Sequence, residues 1–224
     1  MSTASTNGAI RSLFLDGPAG RLEGLLNAGL TDATHAAVVC HPHPLYGGTM
    51  HTKVVFHAMK ALNGFGFPVL RFNFRGVGLS EGEHANGHGE VDDVHAALQW
   101  LEREYRLPVI TAGFSFGACT ALRAACNDDH VSSLISLGTP VRMEERSYSY
   151  SFLTTCSKPK LFVSGARDPF GPAAELEKVV DGAADPKQLV IIDGADHFFE
   201  GRLAEMRHAI EEWLSRQISS PSSA

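Results

Sequence analysis

A Gly-Phe-Ser-Phe-Gly run at residues 113–117 constrains the fold of this chain more than any other feature. An apolar stretch at residues 109–112 precedes the run, and a helix-like stretch at residues 118–125 follows it. A serine placed between a strand and a helix in this pattern sits on a sharp turn that exposes its hydroxyl above the sheet edge. Glycine is expected at both ends because so tight a turn leaves no room for a side chain. The run therefore predicts a strand, a strained turn at Ser115 and a helix.

Short apolar runs alternate with longer helix-like segments, a pattern typical of a mostly parallel sheet with helices on both faces. Residues 12–16 and 22–28 flank the turn sequence Gly17-Pro18-Ala19-Gly20, which predicts an antiparallel hairpin at one sheet edge. Six further strands are expected at residues 36–40, 68–74, 108–113, 131–137, 160–164 and 188–192. The main helices are expected at residues 52–62, 90–105 and 199–217. The predicted class is α/β, with one eight-stranded sheet and five or six helices.

The length of the chain suits one domain. We expect a single domain over residues 1–224, with an ordered core of about residues 10–217 and flexible ends. No internal repeat or linker divides the sequence. Residues 138–158 are the one place where an added module could lie, and their length allows a minimal lid rather than a second domain.

Composition argues against several classes of protein. The net charge is −6 and no basic patch carries interleaved aromatic residues, so nucleic acid is not an expected partner. No apolar run approaches the roughly 18 residues of a membrane span, and residues 1–8 lack the apolar core of a signal peptide. The four cysteines lack a paired metal-binding spacing, and three lie in apolar runs, which predicts buried, reduced thiols. We expect a cytoplasmic monomer or homodimer that does not bind membranes.

Two polar residues downstream of Ser115 fit its chemistry. A serine hydroxyl is a weak nucleophile that needs a neighbouring base, and that base needs an orienting carboxylate. After a Gly-x-Ser-x-Gly turn, these partners follow in the order Ser, Asp or Glu, then His, each in a loop after a strand. Asp168 and His197 lie in the loops after the last two expected strands. Ser115, Asp168 and His197 are therefore the expected nucleophile, acid and base.

Alternatives to this assignment remain open from the sequence. Asp193 and Asp196 are rival acids because they lie in the same loop as His197. Chain order and loop placement favour Asp168 over both. Asp168 could instead cap the following helix or brace the turn before Pro169, and His197 could be an exposed loop residue.

Acyl transfer also needs two backbone N–H groups directed at the developing oxyanion. One is expected from Phe116, directly after the nucleophile. The other is expected from the loop after the third strand, which reads His41-Pro42-His43-Pro44-Leu45-Tyr46-Gly47-Gly48. The two prolines have no N–H. Among the remaining donors we prefer Leu45, with Tyr46 second.

Two further motifs suggest other chemistries. Four histidines lie close enough in sequence to suggest a metal site: His41, His43, His51 and His57. No carboxylate or cysteine completes a familiar ligand spacing, so no metal is expected. A Gly-x-Gly at residues 76–78 follows a strand, but the third glycine of a dinucleotide fingerprint is out of register, so no cofactor is expected. We interpret Arg75 as a structural residue that braces its loop near the Ser115 turn, and His41 or His43 as a structural residue that hydrogen-bonds the loops around the site.

The His-Pro-His-Pro loop, the Arg75-Gly76-x-Gly78 loop and the Gly-Phe-Ser-Phe-Gly turn together resemble the α/β-hydrolase superfamily. Within it, the chain is similar to small, nearly lidless bacterial serine hydrolases, sometimes called dienelactone-hydrolase-like. The similarity covers roughly residues 10–217 and implies an α/β-hydrolase fold in which Ser115, Asp168 and His197 are the nucleophile, acid and base. Dienelactone hydrolases proper carry a cysteine nucleophile, so the serine favours ester hydrolysis.

The expected function is that of a serine carboxylesterase acting on a small-molecule ester with a short acyl chain. The short segment at residues 138–158 offers little apolar wall for a long chain. Tyr46, Phe170 and Phe198 are candidate pocket walls, with Phe116 as a fourth, and core packing is the alternative for each. A thioesterase, a small peptidase or an acyltransferase could use the same three catalytic residues. Another alternative is a non-catalytic binding module on a hydrolase scaffold.

Overall fold

A central sheet organises the fold in a computed structural model that describes residues 9–143 and 146–219. In chain order the strands are β1 (Ile10–Gly17), β2 (Gly20–Asn27), β3 (Ala36–Cys40), β4 (Val69–Phe72), β5 (Val109–Phe114), β6 (Val131–Leu137), β7 (Arg142–Met143), β8 (Arg146–Ser147), β9 (Lys160–Gly165) and β10 (Lys187–Ile192). The α-helices of the described residues are α1 (Lys53–Gly64), α2 (His88–Tyr105), α3 (Phe116–Ala125), α4 (Ala173–Gly182) and α5 (Leu203–Ser219). The predicted α/β class is confirmed.

Eight of the strands form one sheet in the order β1-β2-β4-β3-β5-β6-β9-β10. The strands from β4 to β10 in this order are parallel to their neighbours. The predicted hairpin of β1 and β2 is antiparallel and lies at one edge, where β2 also pairs antiparallel with β4. The strand that leads into Ser115 is β5, so this serine follows a central strand with a parallel neighbour on each side.

The sheet is buried on both faces, and β3 shows why its sequence is apolar throughout. Ala36, Val38 and Cys40 belong to an apolar cluster shared with α2 and α3, whereas Ala37 and Val39 belong to a cluster shared with α1 and α5. Successive side chains of a strand point to opposite faces, so a strand covered on both faces needs apolar residues at every position. None of the helices in the described residues is long and apolar enough to span a membrane.

The loops after β3 and β4 are tied together by buried polar side chains, as the sequence predicted for His41 and Arg75. The Nε2 atom of His41 accepts the backbone N–H of Phe74 at 3.0 Å, and its Nδ1–H donates to the backbone oxygen of Pro42 at 2.6 Å. The guanidinium of Arg75 donates to the buried carboxylate of Asp93, on α2, at 2.7 Å. The bond between Phe74 and His41 fixes the loop that follows β3 against the loop that follows β4, and Arg75 fixes the latter loop to α2.

Two element boundaries differ from those predicted, for local backbone reasons. The N–H of Asn73 still donates to the backbone oxygen of Glu23 on β2, but strand β4 does not continue as predicted because the next N–H, that of Phe74, donates to the ring of His41. Helix α5 begins at Leu203 rather than at residue 199, because Phe199 and Gly201 have φ values of 54° and 68°, which an α-helix does not accommodate.

In its described residues, the segment after β6 holds the two short strands β7 and β8 and a 3-10 helix at Ser151–Thr155. Tyr150 ties the later part of this segment to its own start and to α3. Its hydroxyl donates to the backbone oxygen of Pro140 at 2.7 Å and lies 2.8 Å from the Sγ atom of Cys119. This is the segment in which the sequence predicted a minimal lid.

Candidate active site

The turn between β5 and α3 holds Ser115 in a strained conformation, with φ 55° and ψ −119°. Its backbone N–H donates to the Leu137 oxygen at 2.9 Å, which ties the turn to the end of β6. A Cβ atom at Gly113 would collide with the Gly117 oxygen, and one at Gly117 would collide with the His41 oxygen. The prediction that both glycines are required by lack of space is confirmed. The strain persists because the closely packed surrounding backbone holds the turn in this conformation.

Three side chains are hydrogen-bonded in series at this turn. The hydroxyl of Ser115 donates to Nε2 of His197 at 2.9 Å, and Nδ1–H of His197 donates to Oδ2 of Asp168 at 2.7 Å. The other carboxylate oxygen of Asp168 accepts the N–H groups of Phe170 and Gly171, at 2.8 Å and 3.1 Å. The carboxylate is thus fixed on one side by its own loop and faces the imidazole with the other. This arrangement places the free lone pair of the imidazole on Nε2, toward the serine.

Each member of the series comes from the carboxyl end of a different parallel strand. Ser115 follows β5, Asp168 follows β9 and His197 follows β10. Strands that are far apart in sequence become neighbours at one edge of the sheet, as is usual for sites in open α/β folds. The sequence therefore predicted which side chains the fold would bring together.

The rival acid Asp196 is occupied in its own loop. One of its oxygens accepts the N–H groups of Phe198 and Glu200, at 3.0 Å and 2.9 Å. It stabilises the turn that carries His197, whereas the carboxylate that contacts the imidazole is that of Asp168. The alternative roles considered for Asp168 are partly realised too, because it also braces the turn before α4.

Gly138 is a site residue that the sequence analysis missed. It follows β6 with φ 51°, and a Cβ atom there would lie 3.3 Å from both Nδ1 and Cε1 of His197 and 2.9 Å from the ring of Phe114. The imidazole therefore packs against the backbone of Gly138, next to space that any other side chain at this position would occupy. A glycine directly after a central strand is the sequence signal that could have indicated this contact.

The loop after β3 forms a 3-10 turn at Pro44–Tyr46, and its N–H groups are directed into the loop itself. The N–H of Leu45 donates to Nδ1 of His43 at 3.2 Å, and the N–H of Tyr46 donates to the His43 oxygen at 3.2 Å. The expected oxyanion donors of this loop therefore already have partners. Phe116, in contrast, is the first residue of α3, where backbone N–H groups have no partner within the helix.

The candidate pocket walls differ in their surroundings. Phe170 and Phe198 flank the imidazole of His197, with ring centroids 4.7 Å and 5.3 Å from it, and both are partly exposed, at 39% and 53%. Tyr46 is 77% exposed and packs beside His43. The side chain of Phe116 is buried in the apolar core, so for this residue the alternative of core packing is correct.

Comparison with known proteins agrees with this fold. A family model described as an alpha/beta hydrolase domain matches residues 36–220. An uncharacterised protein of Rickettsia prowazekii (strain Madrid E) is 36% identical over 209 residues, which cover 90% of this chain and 87% of that protein.

Two solved structures are similar over nearly their whole length. An alpha-beta serine hydrolase homologue from Coxiella burnetii has 38% identity and a TM-score of 0.83, covering 94% of this chain and 99% of that one. A serine hydrolase without a lid from Xanthomonas campestris has 32% identity and a TM-score of 0.83, covering 99% and 100%. The family model spans most of the chain, and these structures share the chain's architecture. The chain therefore belongs to the alpha/beta hydrolase domain family.

Proposed function

We propose that the protein is a serine carboxylesterase that cleaves small esters with short acyl chains through an acyl-enzyme intermediate. The observation that supports this most strongly is the series of hydrogen bonds from Asp168 through His197 to Ser115. A serine whose hydroxyl faces an oriented imidazole is an activated nucleophile. The similarity to a serine hydrolase homologue from Coxiella burnetii and a serine hydrolase from Xanthomonas campestris supports the same reaction class.

In the first half of the reaction, Oγ of Ser115 attacks the ester carbonyl carbon as its proton passes to Nε2 of His197. The imidazolium keeps its Nδ1–H on Asp168, whose charge stabilises it. When the carbon–oxygen bond of the leaving group breaks, Nε2 returns the proton to the departing alcohol. In the second half, His197 takes a proton from water, which attacks the acyl-enzyme and releases the acid. None of these steps needs a metal or a cofactor.

The negative charge of the tetrahedral intermediate requires donors, for which we propose the N–H groups of Phe116 and Leu45. The first starts a helix, where the dipole also favours negative charge. The second must exchange its bond to His43 for one to the oxyanion. A charged oxygen is a stronger acceptor than a neutral imidazole nitrogen, so the exchange is favourable when the intermediate forms.

The partly exposed aromatic residues suggest where the substrate lies. Because His197 protonates the leaving oxygen, Phe170 and Phe198 beside it are proposed to contact the leaving alcohol. Tyr46, in the loop after β3, is proposed to contact the carbonyl side. The short segment after β6 provides little cover, which favours short acyl chains over long ones.

The proposal includes a cytoplasmic enzyme that works as a monomer or homodimer on a small molecule. All four cysteines are free and buried, which suits a reducing compartment. Cell fractionation tests the location, and the mass of the purified protein in solution tests the oligomeric state.

The deciding experiment measures hydrolysis of p-nitrophenyl esters from acetate to palmitate by wild type and Ser115→Ala. We expect turnover to be highest with the shortest chains and to disappear in the variant. The thioester and p-nitroanilide of the best acyl group then separate an esterase from a thioesterase or peptidase. A maximum at long chains contradicts the short-chain assignment. If the wild type neither turns over any ester nor reacts with a fluorophosphonate, the whole proposal is wrong.

A further inference from the structure

A second pair of carboxylate and imidazole lies beside the loop after β3. Nδ1 of His84 is 2.7 Å from Oε1 of Glu90, and the two side chains are only 9% and 0% exposed. The contact lacks the alignment of a conventional hydrogen bond, and Nε2 of His84 is buried without a hydrogen-bond partner. A buried imidazole nitrogen without a hydrogen-bond partner lowers the stability of the fold, so its presence calls for an explanation.

Glu90 is rigidly held, so it can orient the ring next to it. Its carboxylate accepts the backbone N–H groups of Ala85 and Gly87, at 2.9 Å and 2.8 Å. Burial opposes ionisation of Glu90, but the backbone N–H groups of Ala85, Glu90 and Gly87 and the neighbouring His84 outweigh it and lower its pKa. Glu90 is therefore a fixed anion at neutral pH.

The His84 ring packs against both residues that matter for the oxyanion. Its centroid is 4.9 Å from that of His43 and 5.8 Å from that of Phe116, and the latter two rings are 4.8 Å apart. Phe116 supplies one proposed oxyanion donor through its own backbone. His43 accepts the N–H of the other, Leu45. The three rings thus connect two donors that belong to separate elements, the loop after β3 and the start of α3.

We propose that His84, oriented by Glu90, is a positioning residue of the oxyanion hole that acts through the rings of His43 and Phe116. It touches no reacting atom, and the inference rests on the proposed hydrolase function. Two donors on separate elements stabilise an oxyanion only when their spacing is fixed to a fraction of an ångström. Loss of the ring loosens that spacing, so the defect belongs to the transition state rather than to substrate binding.

The test compares His84→Ala with His84→Gln, whose amide reaches toward Glu90, and with His88→Ala at the exposed start of α2 as a matched control. With p-nitrophenyl acetate we expect kcat of His84→Ala to fall about tenfold or more, with KM within about twofold. The Gln variant should recover part of this loss, and the control should match wild type. Affinity for a trifluoromethyl ketone, to which Oγ of Ser115 adds to form a charged tetrahedral adduct, should fall by the same factor as kcat.

A structural role alone would not change ketone affinity and kcat in parallel, so unequal losses overturn the inference. Unchanged kcat in His84→Ala also overturns it. If the Ala variant fails to fold, His84→Gln carries the same comparison.

A fluorophosphonate separates this inference from the function on which it rests. Oγ of Ser115 displaces fluoride from phosphorus and passes its proton to His197, so no ester substrate is needed. If wild type and His84→Ala are labelled equally fast, the inference is wrong but the proposed function stands. Wild type that neither labels nor hydrolyses esters defeats the proposed function and the inference with it.

Discussion

At the scale of single residues, the carboxylate of Asp168 has one oxygen for its own loop and one for the imidazole. We expect Asp168→Asn to fold normally but to lower kcat by about 10⁴, because an amide in this place favours the wrong imidazole tautomer. Asp196→Asn is the matched control, since its carboxylate serves only the turn after β10. Steady-state kinetics and thermal melts of both variants test this. Equal activities would mean that Asp168 is not the acid.

Gly138 supports the imidazole by having no side chain. We expect Gly138→Ala to lower kcat about tenfold, because the new methyl group would lie 2.9 Å from the Phe114 ring and 3.3 Å from the His197 ring and would shift both. The positive φ adds roughly 1–2 kcal/mol of destabilisation. Gly182→Ala at the end of α4, where a Cβ atom meets nothing within 4 Å, should leave kcat unchanged. A Gly138→Ala enzyme with wild-type kcat would show that the ring tolerates the contact.

At the scale of elements, His41 joins the ends of β3 and β4 as a neutral ring. Burial lowers its pKa from 6.5 to about 4. Its contribution to stability is complete above pH 6.5, and it is lost as the pH falls toward 4, because only the unfolded chain then binds the proton. The loss approaches about 3 kcal/mol near pH 4.

Urea unfolding at pH 7.5 and pH 4.5 tests this role. We expect His41→Gln to be less stable than wild type at pH 7.5 but to lose less stability on acidification. His51→Gln, at an exposed histidine near the same loop, should show the wild-type drop. Equal drops in wild type and His41→Gln would exclude His41 as a source of the pH dependence.

The elements were largely predictable from the sequence because patterning and burial agree in them. Strand β3 was predicted to the residue, since a strand covered on both faces is apolar throughout. Asp168 and His197 were predictable because each follows a strand in the expected order. The start of α5 was not, because the φ of Phe199 is set by the turn after β10. The bond from the Leu45 N–H to His43 and the contact between His84 and Glu90 were not predictable. Both depend on where imidazole rings pack, which no periodic pattern in the sequence indicates.

At the scale of the whole molecule, the segment after β6 is short, and Tyr150 ties its later part to Pro140 near its start and to Cys119 of α3. We expect that a segment held in this way does not open in response to a lipid surface. We expect the rate on tributyrin to rise smoothly through its solubility limit, with no jump. Tyr150→Phe, which removes the hydrogen bond to Pro140, should lower stability by about 1–2 kcal/mol while keeping the smooth profile. A sharp rise in rate at the solubility limit would reveal a working lid.

The order of the strands along the chain has a consequence for how the protein folds during its synthesis. His197 follows β10, the last strand in the chain, whereas Ser115 follows β5 near the middle. A growing polypeptide on the ribosome can form most of the sheet before it has a base for its serine. The proposed hydrolytic activity is then expected to be acquired last, when the final strand pairs at the sheet edge. We expect a polypeptide that ends before His197 to lack this activity, because it has no base for Ser115.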